Sequence, residues 1–325
     1  MTCSAARTNI ASVAPVWQAM LDRQPRANVF LTPLWQGTWW EVFGGDAGEE
    51  CVLTLGGEHV PNGIAPLVRN GDTITFVGDT DLFDYHDFIV GDNNPASFFH
   101  DLDSCLASEA WSILDLRSVV EGSPTLEHLP ELLRRRGCEV AIEDEDVVPG
   151  MPLPADFEQF VQSLGKHDRH ELRRKLRRLG AAGAYRLVRA TAETLDDDLT
   201  LFLDLMGESR EEKRDFMVPR RERFVRLVMP RLLDAGILRL FFLDLDGERV
   251  AGVTCFDYAG RRLLYNSGYR LAHRDLSVGL MLKALTIRDA IESGLTYYDF
   301  LRGPEHYKYH LGGKDVRLHR IIARR

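Results

Sequence analysis

The sequence predicts an α+β protein of two tandem units, each a mixed, mostly antiparallel sheet flanked by helices in three layers. The chain has 325 residues, 45 % of them hydrophobic, which is enough for two domains with separate cores. From residue 184 the hydrophobic periodicity gives the order β, α, α, β, β, β, α, β, α, β. Residues 1–150 repeat this order more loosely, so the element order predicts a duplicated layout without a residue-level repeat.

In the first half, helices and strands follow one another from residue 32. The predicted helices are 32–43, 95–107 and 124–136, and the predicted strands are 51–55, 60–69, 73–78, 87–90, 111–116 and 138–143. The run EDEDVVPGMPLP, residues 143–154, is acidic and rich in proline and glycine, which is typical of a linker. We therefore expect domains at 1–150 and 151–325.

The second half gives a clearer pattern. The predicted helices are 155–165, 166–183, 192–213, 219–236, 277–294 and 304–311, and the predicted strands are 184–191, 237–245, 248–258, 261–269, 296–301 and 316–323. The pairs Asp246–Gly247 and Ala259–Gly260 separate three consecutive strands and are typical of hairpin turns. Three antiparallel strands followed by a helix therefore form the centre of the predicted second unit.

The charge of the chain is divided between the two halves. Residues 1–150 hold 24 acidic and 8 basic residues, a net charge of −16, whereas residues 151–325 hold 25 acidic and 32 basic residues, a net charge of +7. Such an asymmetry predicts different ligands for the two units. The basic unit suits a phosphate-bearing ligand, and the acidic unit suits an amine or is simply solvated.

Membrane, secreted and metal-binding classes are not favoured. The chain contains no run of about 18 apolar residues and no apolar leader of the signal-peptide type. Five dispersed cysteines without a CxxC pair indicate reduced, buried thiols and a cytoplasmic protein. His306 and His310 have metal-ligand spacing but no third ligand in register, so we expect no metal.

The segment from Arg274 to Gly279 joins a predicted strand to a helix and reads R-x-x-S-x-G. A helix that starts with small residues presents free backbone N–H groups to an anion. The segment therefore predicts a phosphate site, although an ordinary serine-capped helix gives the same pattern.

With this element order, the second half resembles the GNAT acyltransferase fold. The R-x-x-S-x-G segment resembles its Arg/Gln-x-x-Gly-x-Gly/Ala pyrophosphate loop, with Ser277 in place of the first glycine. More narrowly, RHELRRKLRRL, NSGY and YYDFLRGPEHYKYHLGG resemble bacterial cellulose-biosynthesis-like (CelD/BioF2-type) acetyltransferases, as do NVFLTPLWQGTWWEVFG and DYHDF in the first half. That family is related to the Fem-type peptidyltransferases, which contain two GNAT-like units. The strongest matching positions are Asp299, Phe300, Arg302, Gly303, Tyr307 and Lys308.

The resemblance implies one donor site, in the second unit, for an acyl-CoA such as acetyl-CoA. The pantetheine amides would pair with the strand before the loop, and the phosphates would bind the loop itself. The implied donor-binding residues are Tyr265, Ser267, Gly268, Tyr269, Arg274, Ser277, Val278, Gly279 and Arg302. The first unit has no matching loop, which predicts a degenerate GNAT-like unit on the acceptor side.

The chemistry needs an acid, a base and an oxyanion donor. Tyr307 or Tyr309 could protonate the leaving thiolate, because the high pKa of tyrosine suits that task. Asp299 or Glu305 could accept the proton of the amine, and a backbone N–H could hold the oxyanion. Asp299 could instead cap the following turn or bind Arg302.

The acceptor is expected to be a small-molecule or peptide amine. Asp84, Tyr85 and Asp87 in the sequence DYHDF could line its pocket, or they could form a turn with Asx hydrogen bonds. No membrane partner is expected.

Lys308 allows a second interpretation of the acyl donor. In Fem-type enzymes a lysine in a matching aromatic–lysine pair is associated with the 3′ end of an aminoacyl-tRNA. The basic helix 166–178 could bind tRNA phosphates, or it could be a solvated amphipathic helix. The main prediction is N-acyl transfer from CoA. The alternatives are a tRNA-dependent transferase of the Fem type and an inactive binding module with the same fold.

Overall fold

A computed structural model describes residues 5–24, 27–56, 61–91 and 94–325. The chain divides into two compact units, of which the first comprises residues up to Val147 together with Val316–Arg325, and the second comprises Val148–Asp315. Within the described ranges, no helix is both long and apolar enough to cross a membrane.

Both units contain helices and strands. The helices are α1 Ile10–Leu21, α2 Pro33–Ala47, α3 Pro95–Ser108, α4 Pro124–Arg135, α5 Phe157–Ser163, α6 Lys166–Ala182, α7 Leu195–Ser209, α8 Glu211–Phe216, α9 Pro219–Asp234, α10 Val278–Glu292 and α11 His306–His310. The strands are β1 Ala5–Thr8, β2 Glu49–Gly56, β3 Pro61–Asn70, β4 Thr73–Phe76, β5 Ile89–Val90, β6 Ile113–Val120, β7 Glu139–Val147, β8 Gly150–Pro152, β9 Tyr185–Arg189, β10 Leu238–Leu245, β11 Glu248–Tyr258, β12 Arg261–Tyr269, β13 Tyr297–Asp299 and β14 Arg317–Arg324. Short 3-10 turns occupy Val29–Leu31 and Leu271–Leu276.

Several helices are capped at the N-terminus by a side chain. The Thr32 hydroxyl accepts the Trp35 N–H at 3.1 Å, and the Asp156 carboxylate accepts the Gln159 N–H at 2.8 Å. Each cap satisfies an amide that the first turn of a helix leaves without an intrahelical partner. These helix starts therefore follow from local sequence.

The first unit is built on the strand order β1-β2-β3-β4-β6-β14-β7, with β5 paired to β3. The β4–β6 pair is parallel, and the other pairs described in this sheet are antiparallel. Helices α3 and α4 supply Phe98, Leu102 and Leu129 to a core that includes Leu67 and Leu114 of the sheet. The predicted mixed, mostly antiparallel sheet is confirmed.

The second unit has the strand order β8-β13-β12-β11-β10-β9. Its β12–β13 pair is parallel and its other pairs are antiparallel. Met281, Leu285 and Ile291 of α10 lie in a core with Phe241 and Val253 of the sheet. The apolar stripe of the predicted helix 277–294 therefore packs on the sheet, as helical periodicity requires.

Two boundaries differ from the predicted ones. The acidic run 143–154 is not a linker, because its first residues continue β7 and Gly150–Pro152 forms β8. The last strand, β14, lies between β6 and β7 of the first sheet, so the second unit ends at Asp315 and not at residue 325. The local sequence of β14 predicts a strand. Which strands it pairs with is a long-range interaction that local sequence does not encode.

Two helical segments also differ. Helix α1 precedes the predicted elements. It is capped by Asn9, whose side chain accepts the Ser12 N–H at 2.9 Å. The predicted helix 192–213 is two helices, α7 and α8, because Arg210 between them is extended.

The cysteines only partly match the expectation of reduced thiols. Cys51, Cys138 and Cys255 are free and buried. Cys105 is disulfide-bonded, so the expectation is wrong at that position, and Cys3 lies outside the described residues.

Candidate functional site

The second sheet opens between β12 and β13. Their parallel pairing begins at Arg261 and Tyr297 and ends where Leu263 lies opposite Asp299. Strand β12 continues to Tyr269 beyond this pairing. A bulge at Tyr265 interrupts the ladder with β11 just after the opening begins, because Cys255 pairs with Leu264 and Thr254 with Asn266. A bulge increases the local twist of a strand, which turns the end of β12 away from β13.

The N-terminus of α10 lies beside the end of β12. Ser277 precedes the helix with a φ of +56°, and its carbonyl accepts the Met281 N–H at 2.9 Å. A Cβ atom at Gly279 would lie 3.0 Å from the Tyr269 ring, so a glycine allows the close approach of helix and strand. The start of α10 thus lies against the part of β12 that is not paired with β13.

A cavity of about 320 Å³ occupies this place. Its lining residues are Lys175, Ser209, Arg210, Lys213, Ser267, Tyr269, Arg274, Ser277, Val278, Gly279, Leu280, Lys283, Glu305 and Tyr307. We call it the cationic cavity, because five of these side chains are lysine or arginine and one is a carboxylate. The cavity lies wholly in the second unit, every residue of which the structure describes.

Eight residues predicted from sequence line the cationic cavity. They are Ser267, Tyr269, Arg274, Ser277, Val278, Gly279, Glu305 and Tyr307. Tyr265, Gly268 and Arg302 are predicted donor-binding residues that do not line it. Tyr265 packs on the Phe256 ring at 5.1 Å, and a Cβ atom at Gly268 would collide with the backbone of Leu205. These two positions shape β12 instead of forming the cavity wall.

Lys308 is enclosed by backbone. Its side chain is 2 % exposed, and Nζ donates to the carbonyls of Leu301 at 2.8 Å, Arg302 at 2.6 Å and Gly303 at 2.9 Å. Nζ also lies 2.8 Å from the Glu305 carboxylate. An ammonium has three N–H donors, so these acceptors use all of them. The expected contact of Lys308 with a donor is therefore corrected: Lys308 holds the loop between β13 and α11.

Asp299 is held in a turn. Its buried carboxylate accepts the Leu301 N–H at 2.9 Å and lies 3.4 Å from the Arg261 guanidinium. The capping alternative considered from sequence describes this geometry. Asp299 does not line the cationic cavity, so this geometry gives no support to its predicted role as a base.

Glu305 lines the cavity but is paired with Lys308. Burial acts to raise the pKa of Glu305, but the hydrogen bond and the charge of Lys308 outweigh burial and lower it. A carboxylate with a lowered pKa is a weaker proton acceptor.

The two candidate tyrosines have different surroundings. The Tyr309 hydroxyl donates to Asp315 at 2.8 Å, and Tyr309 does not line the cavity, so this geometry gives no support to its predicted role as the acid. Tyr307 lines the cavity, and burial raises its pKa far above the ordinary value. Tyr307 therefore stays a neutral phenol with a proton to give.

Two lysines in the cavity wall were missed from sequence. Lys213 Nζ donates to Asn266 Oδ1 at 2.7 Å and to the Ser267 carbonyl, and burial together with Arg210 lowers its pKa to about 8. Lys283 is 8 % exposed, and burial together with Lys213 lowers its pKa to about 7. A signal for Lys283 was present, because it is a single charge within the apolar run Met281–Leu285 of a core helix.

The first unit contains a cavity of similar size, about 330 Å³, which we call the neutral cavity. Tyr85 and Asp87 line it, whereas Asp84 does not. Asp87 accepts hydrogen bonds from the hydroxyls of Ser123 and Thr125 and from its neighbour Phe88 N–H at 2.9 Å. The two hydroxyls belong to distant residues, so these bonds are not those of an Asx turn, and Asp87 also faces a cavity.

No metal centre is evident. Within the described ranges, no group of three or more His, Cys, Asp or Glu side chains could hold a metal ion. His310 Nδ1 lies within hydrogen-bond distance of the Asp168 carboxylate, at 2.7 Å.

Comparison with known proteins gives a domain-model match within the second unit and a fold for the chain. Residues 166–309 match the acetyltransferase (GNAT) domain model. The chain is similar to the crystal structure of FemX, with 14 % identity, a TM-score of 0.66 and coverage of 98 % of this chain and 96 % of that one. No curated protein is significantly similar in sequence.

Two further solved structures are similar over nearly the whole chain. One is the C-terminal domain of a putative lysylphosphatidylglycerol synthetase from Agrobacterium fabrum, with 11 % identity, a TM-score of 0.60 and coverage of 97 % and 92 %. The other is a tandem GNAT protein from the clavulanic acid biosynthesis pathway, with 12 % identity, a TM-score of 0.51 and coverage of 98 % and 97 %. Residues 166–309 therefore resemble a GNAT domain, and the chain as a whole shares the fold of these solved structures.

Proposed function

We propose that the protein is an N-acyltransferase that binds an acyl-CoA in the cationic cavity and transfers the acyl group to an amine. The observation that carries this proposal is the position of the cavity. It lies where β12 leaves β13, against the N-terminus of α10, and five of its lining side chains are basic. The GNAT domain match covers the elements that form it.

The cavity has the chemistry to hold a phosphorylated donor. The backbone N–H groups at the start of α10 and the positive end of its dipole favour an anion. Arg274 is largely exposed at this end, and its nearest carboxylate, Asp275, is 4.0 Å away, so its guanidinium can bind a phosphate. We propose that Arg274 and Ser277–Gly279 bind the donor phosphates.

Strand β12 can align the pantetheine arm. Beyond Leu263 its backbone faces the opening and not β13. The Ser267 carbonyl already accepts from Lys213, but a carbonyl oxygen has a second lone pair for a donor amide. Pairing along β12 would direct the thioester into the opening, where a backbone N–H could stabilise the oxyanion.

Tyr307 is the proposed acid of the transfer step. The amine nitrogen forms a bond with the acyl carbon as the carbon–sulfur bond breaks, and the thiolate takes the phenolic proton. Tyr307 is the candidate tyrosine that lines the cavity, and its raised pKa means that the phenol carries its proton when the reaction starts. The negative charge that develops on the sulfur has to drive the transfer of this proton, because a raised pKa makes the phenol a weaker acid.

We assign the acceptor side to the first unit, which we regard as a degenerate GNAT-like unit. Its neutral cavity has aromatic walls from Tyr85 and Phe88, together with Asp87. This lining suits a small organic molecule or a peptide side chain better than a polyanion.

A second donor, aminoacyl-tRNA, is favoured by one observation. The five basic side chains of the cationic cavity suit the phosphates of a tRNA end as well as those of CoA. The lysine on which this alternative depended, Lys308, is enclosed by carbonyls, and we therefore rank CoA first.

Donor binding is the experiment that tests the proposal. We expect acetyl-CoA to bind by calorimetry and to raise the Tm, and uncharged or charged tRNA to have no effect. Arg274→Ala should weaken acetyl-CoA binding roughly tenfold, since a charge-assisted hydrogen bond contributes about 1.5–3 kcal/mol. Arg223→Ala, an exposed arginine of α9 that does not line the cavity, is the matched control.

Two other results would contradict the proposal. Binding of charged tRNA but not of acetyl-CoA would mean that aminoacyl-tRNA is the donor. Binding of neither ligand would mean that the protein is an inactive binding module.

A further inference from the structure

The proposed transfer needs a proton acceptor in the cationic cavity, and the two expected carboxylates do not supply one. Asp299 is bound to the Leu301 N–H and to Arg261 and does not line the cavity. Glu305 is paired with Lys308, which lowers its pKa. The base must therefore be sought among the other groups in the wall.

The lysines of the chain are concentrated at this cavity. The sequence contains six lysines, none of them in residues 1–150. Lys175, Lys213 and Lys283 line the cavity, and Lys308 lies in the adjacent helix α11. A core that buries lysines at one place has a reason beyond packing, because burying a cation costs free energy.

Lys283 has the most suitable geometry. It lies one turn after Gly279, and helical side chains lean towards the N-terminus of their helix. Nζ thereby lies 3.4 Å from the Gly279 carbonyl and 4.7 Å from the centre of the Tyr307 ring. The long contact with Gly279 is its one hydrogen bond among the described residues, so no carboxylate neutralises it there.

The groups that face Lys283 favour its neutral form. Lys213 and Arg210 are cations on the α8 side of the cavity, and Glu305 is an anion held by Lys308. Cys255 of β11 is a neutral thiol, because burial raises its pKa to about 12. Burial and the neighbouring cations lower the pKa of Lys283 to about 7 and outweigh Glu305. At neutral pH a large share of Lys283 is then an amine with a free lone pair.

We propose that Lys283 is the general base that takes the proton from the attacking amine. This role rests on the proposed function. The acceptor nitrogen bonds to the acyl carbon and gives a proton to Lys283 Nζ, while the carbon–sulfur bond breaks and the thiolate takes the Tyr307 proton. Solvent then carries a proton from the Lys283 ammonium to the Tyr307 phenolate, so the net products are an amide and a free thiol.

Two variants distinguish a Lys283 that acts as a base from a Lys283 that only binds an anion. Lys283→Met removes the basic nitrogen and keeps the apolar volume, and Lys283→Arg keeps the charge but cannot lose its proton. Lys166→Met, at the exposed start of α6, is the control. Thiol release from acetyl-CoA with ethanolamine as the probe amine, measured from pH 5.5 to 9, gives kcat, KM and the pH profile.

A base at Lys283 gives a specific result. Both variants should lower kcat roughly 100-fold or more and lose the limb of the profile near pH 7, with acetyl-CoA affinity unchanged. A Lys283→Arg variant that keeps wild-type kcat, or variants that change KM alone, would show an anion-binding lysine and overturn the proposal. Wild-type protein that binds no acetyl-CoA overturns the proposed function, and the role of Lys283 with it.

The charge of Lys283 can also be measured without a donor. In protein labelled with 13C at the lysine ε-carbons, six signals are expected, and Lys283→Arg assigns the one from Lys283. Titration near pH 7 supports the proposal, and titration above pH 9 contradicts it even if the variants unfold.

Discussion

The two units contain cavities of nearly equal volume, about 330 Å³ and 320 Å³, with very different linings. Among the residues described there, the neutral cavity is lined by aromatic, aliphatic and polar side chains, with Asp87 as its one carboxylate and no lysine or arginine. The cationic cavity is lined by five basic side chains and Glu305. Size therefore does not distinguish the two sites, and charge does: the second suits a phosphorylated donor, whereas the first does not.

The two cavities also differ in how their carboxylates are used. Asp87 accepts hydrogen bonds from Ser123 and Thr125, which are neutral groups. Glu305 is paired with a lysine that is itself held by three carbonyls. Substitutions at these positions should therefore affect the two units to different extents.

The largest expected effect follows Lys308→Met. The carbonyls of Leu301, Arg302 and Gly303 would lose their common donor, and we expect a loss of about 3 kcal/mol or more in unfolding free energy. Chemical denaturation measures it. Lys314→Met, an exposed neighbour, should change the stability little, and equal stability of the two variants would mean that the carbonyls find other donors.

Tyr307→Phe should affect chemistry and not stability. Without a phenolic proton the thiolate is a poor leaving group, so we expect kcat for acetyl transfer to fall roughly 100-fold. Tyr309→Phe is the matched control, because the Tyr309 hydroxyl is bonded to Asp315 outside the cavity. Equal losses in the two variants would remove Tyr307 from the mechanism.

In the first unit, the expected effect of Asp87→Ala is smaller. The hydroxyls of Ser123 and Thr125 lose an acceptor, which should lower the unfolding free energy by about 1–2 kcal/mol. Acetyl-CoA affinity, measured by calorimetry, should not change. A large loss of donor affinity would contradict the division of roles between the two cavities.

A further expected effect is a change in the pH dependence of stability. The pKa of Lys283 is lowered from 10.5 to about 7, so between these values the unfolded chain binds more protons than the folded one. The Lys283 contribution to unfolding free energy therefore increases as the pH rises from about 7 to 10.5. Lys283→Met should show a smaller increase over that range in urea titrations, and an identical pH dependence would mean that Lys283 is not buried as a neutral amine.

Eight of the residues that line the proposed donor site were predicted from sequence. The segment Arg274–Gly279 and the approach of Tyr307 follow from element order, because a strand, a loop and a helix that are adjacent in sequence are adjacent in space. The base could not be predicted this way. The suitability of Asp299 as a base depends on its contacts with Leu301 and Arg261. That of Lys283 depends on its burial beside Lys213. Spacing in the chain reveals neither set of neighbours.

The fold class and most helices and strands follow from local sequence, because periodicity and capping act over a few residues. Tertiary structure alone decided that β14 belongs to the first sheet, that Lys308 holds a loop and that Lys283 is buried beside Tyr307. These features depend on strand pairing and on desolvation by residues distant in sequence. The stretch from Tyr297 to Gly313 contains both kinds: its strand and helix follow from local pattern, whereas the roles of its charged side chains follow from the groups packed around them.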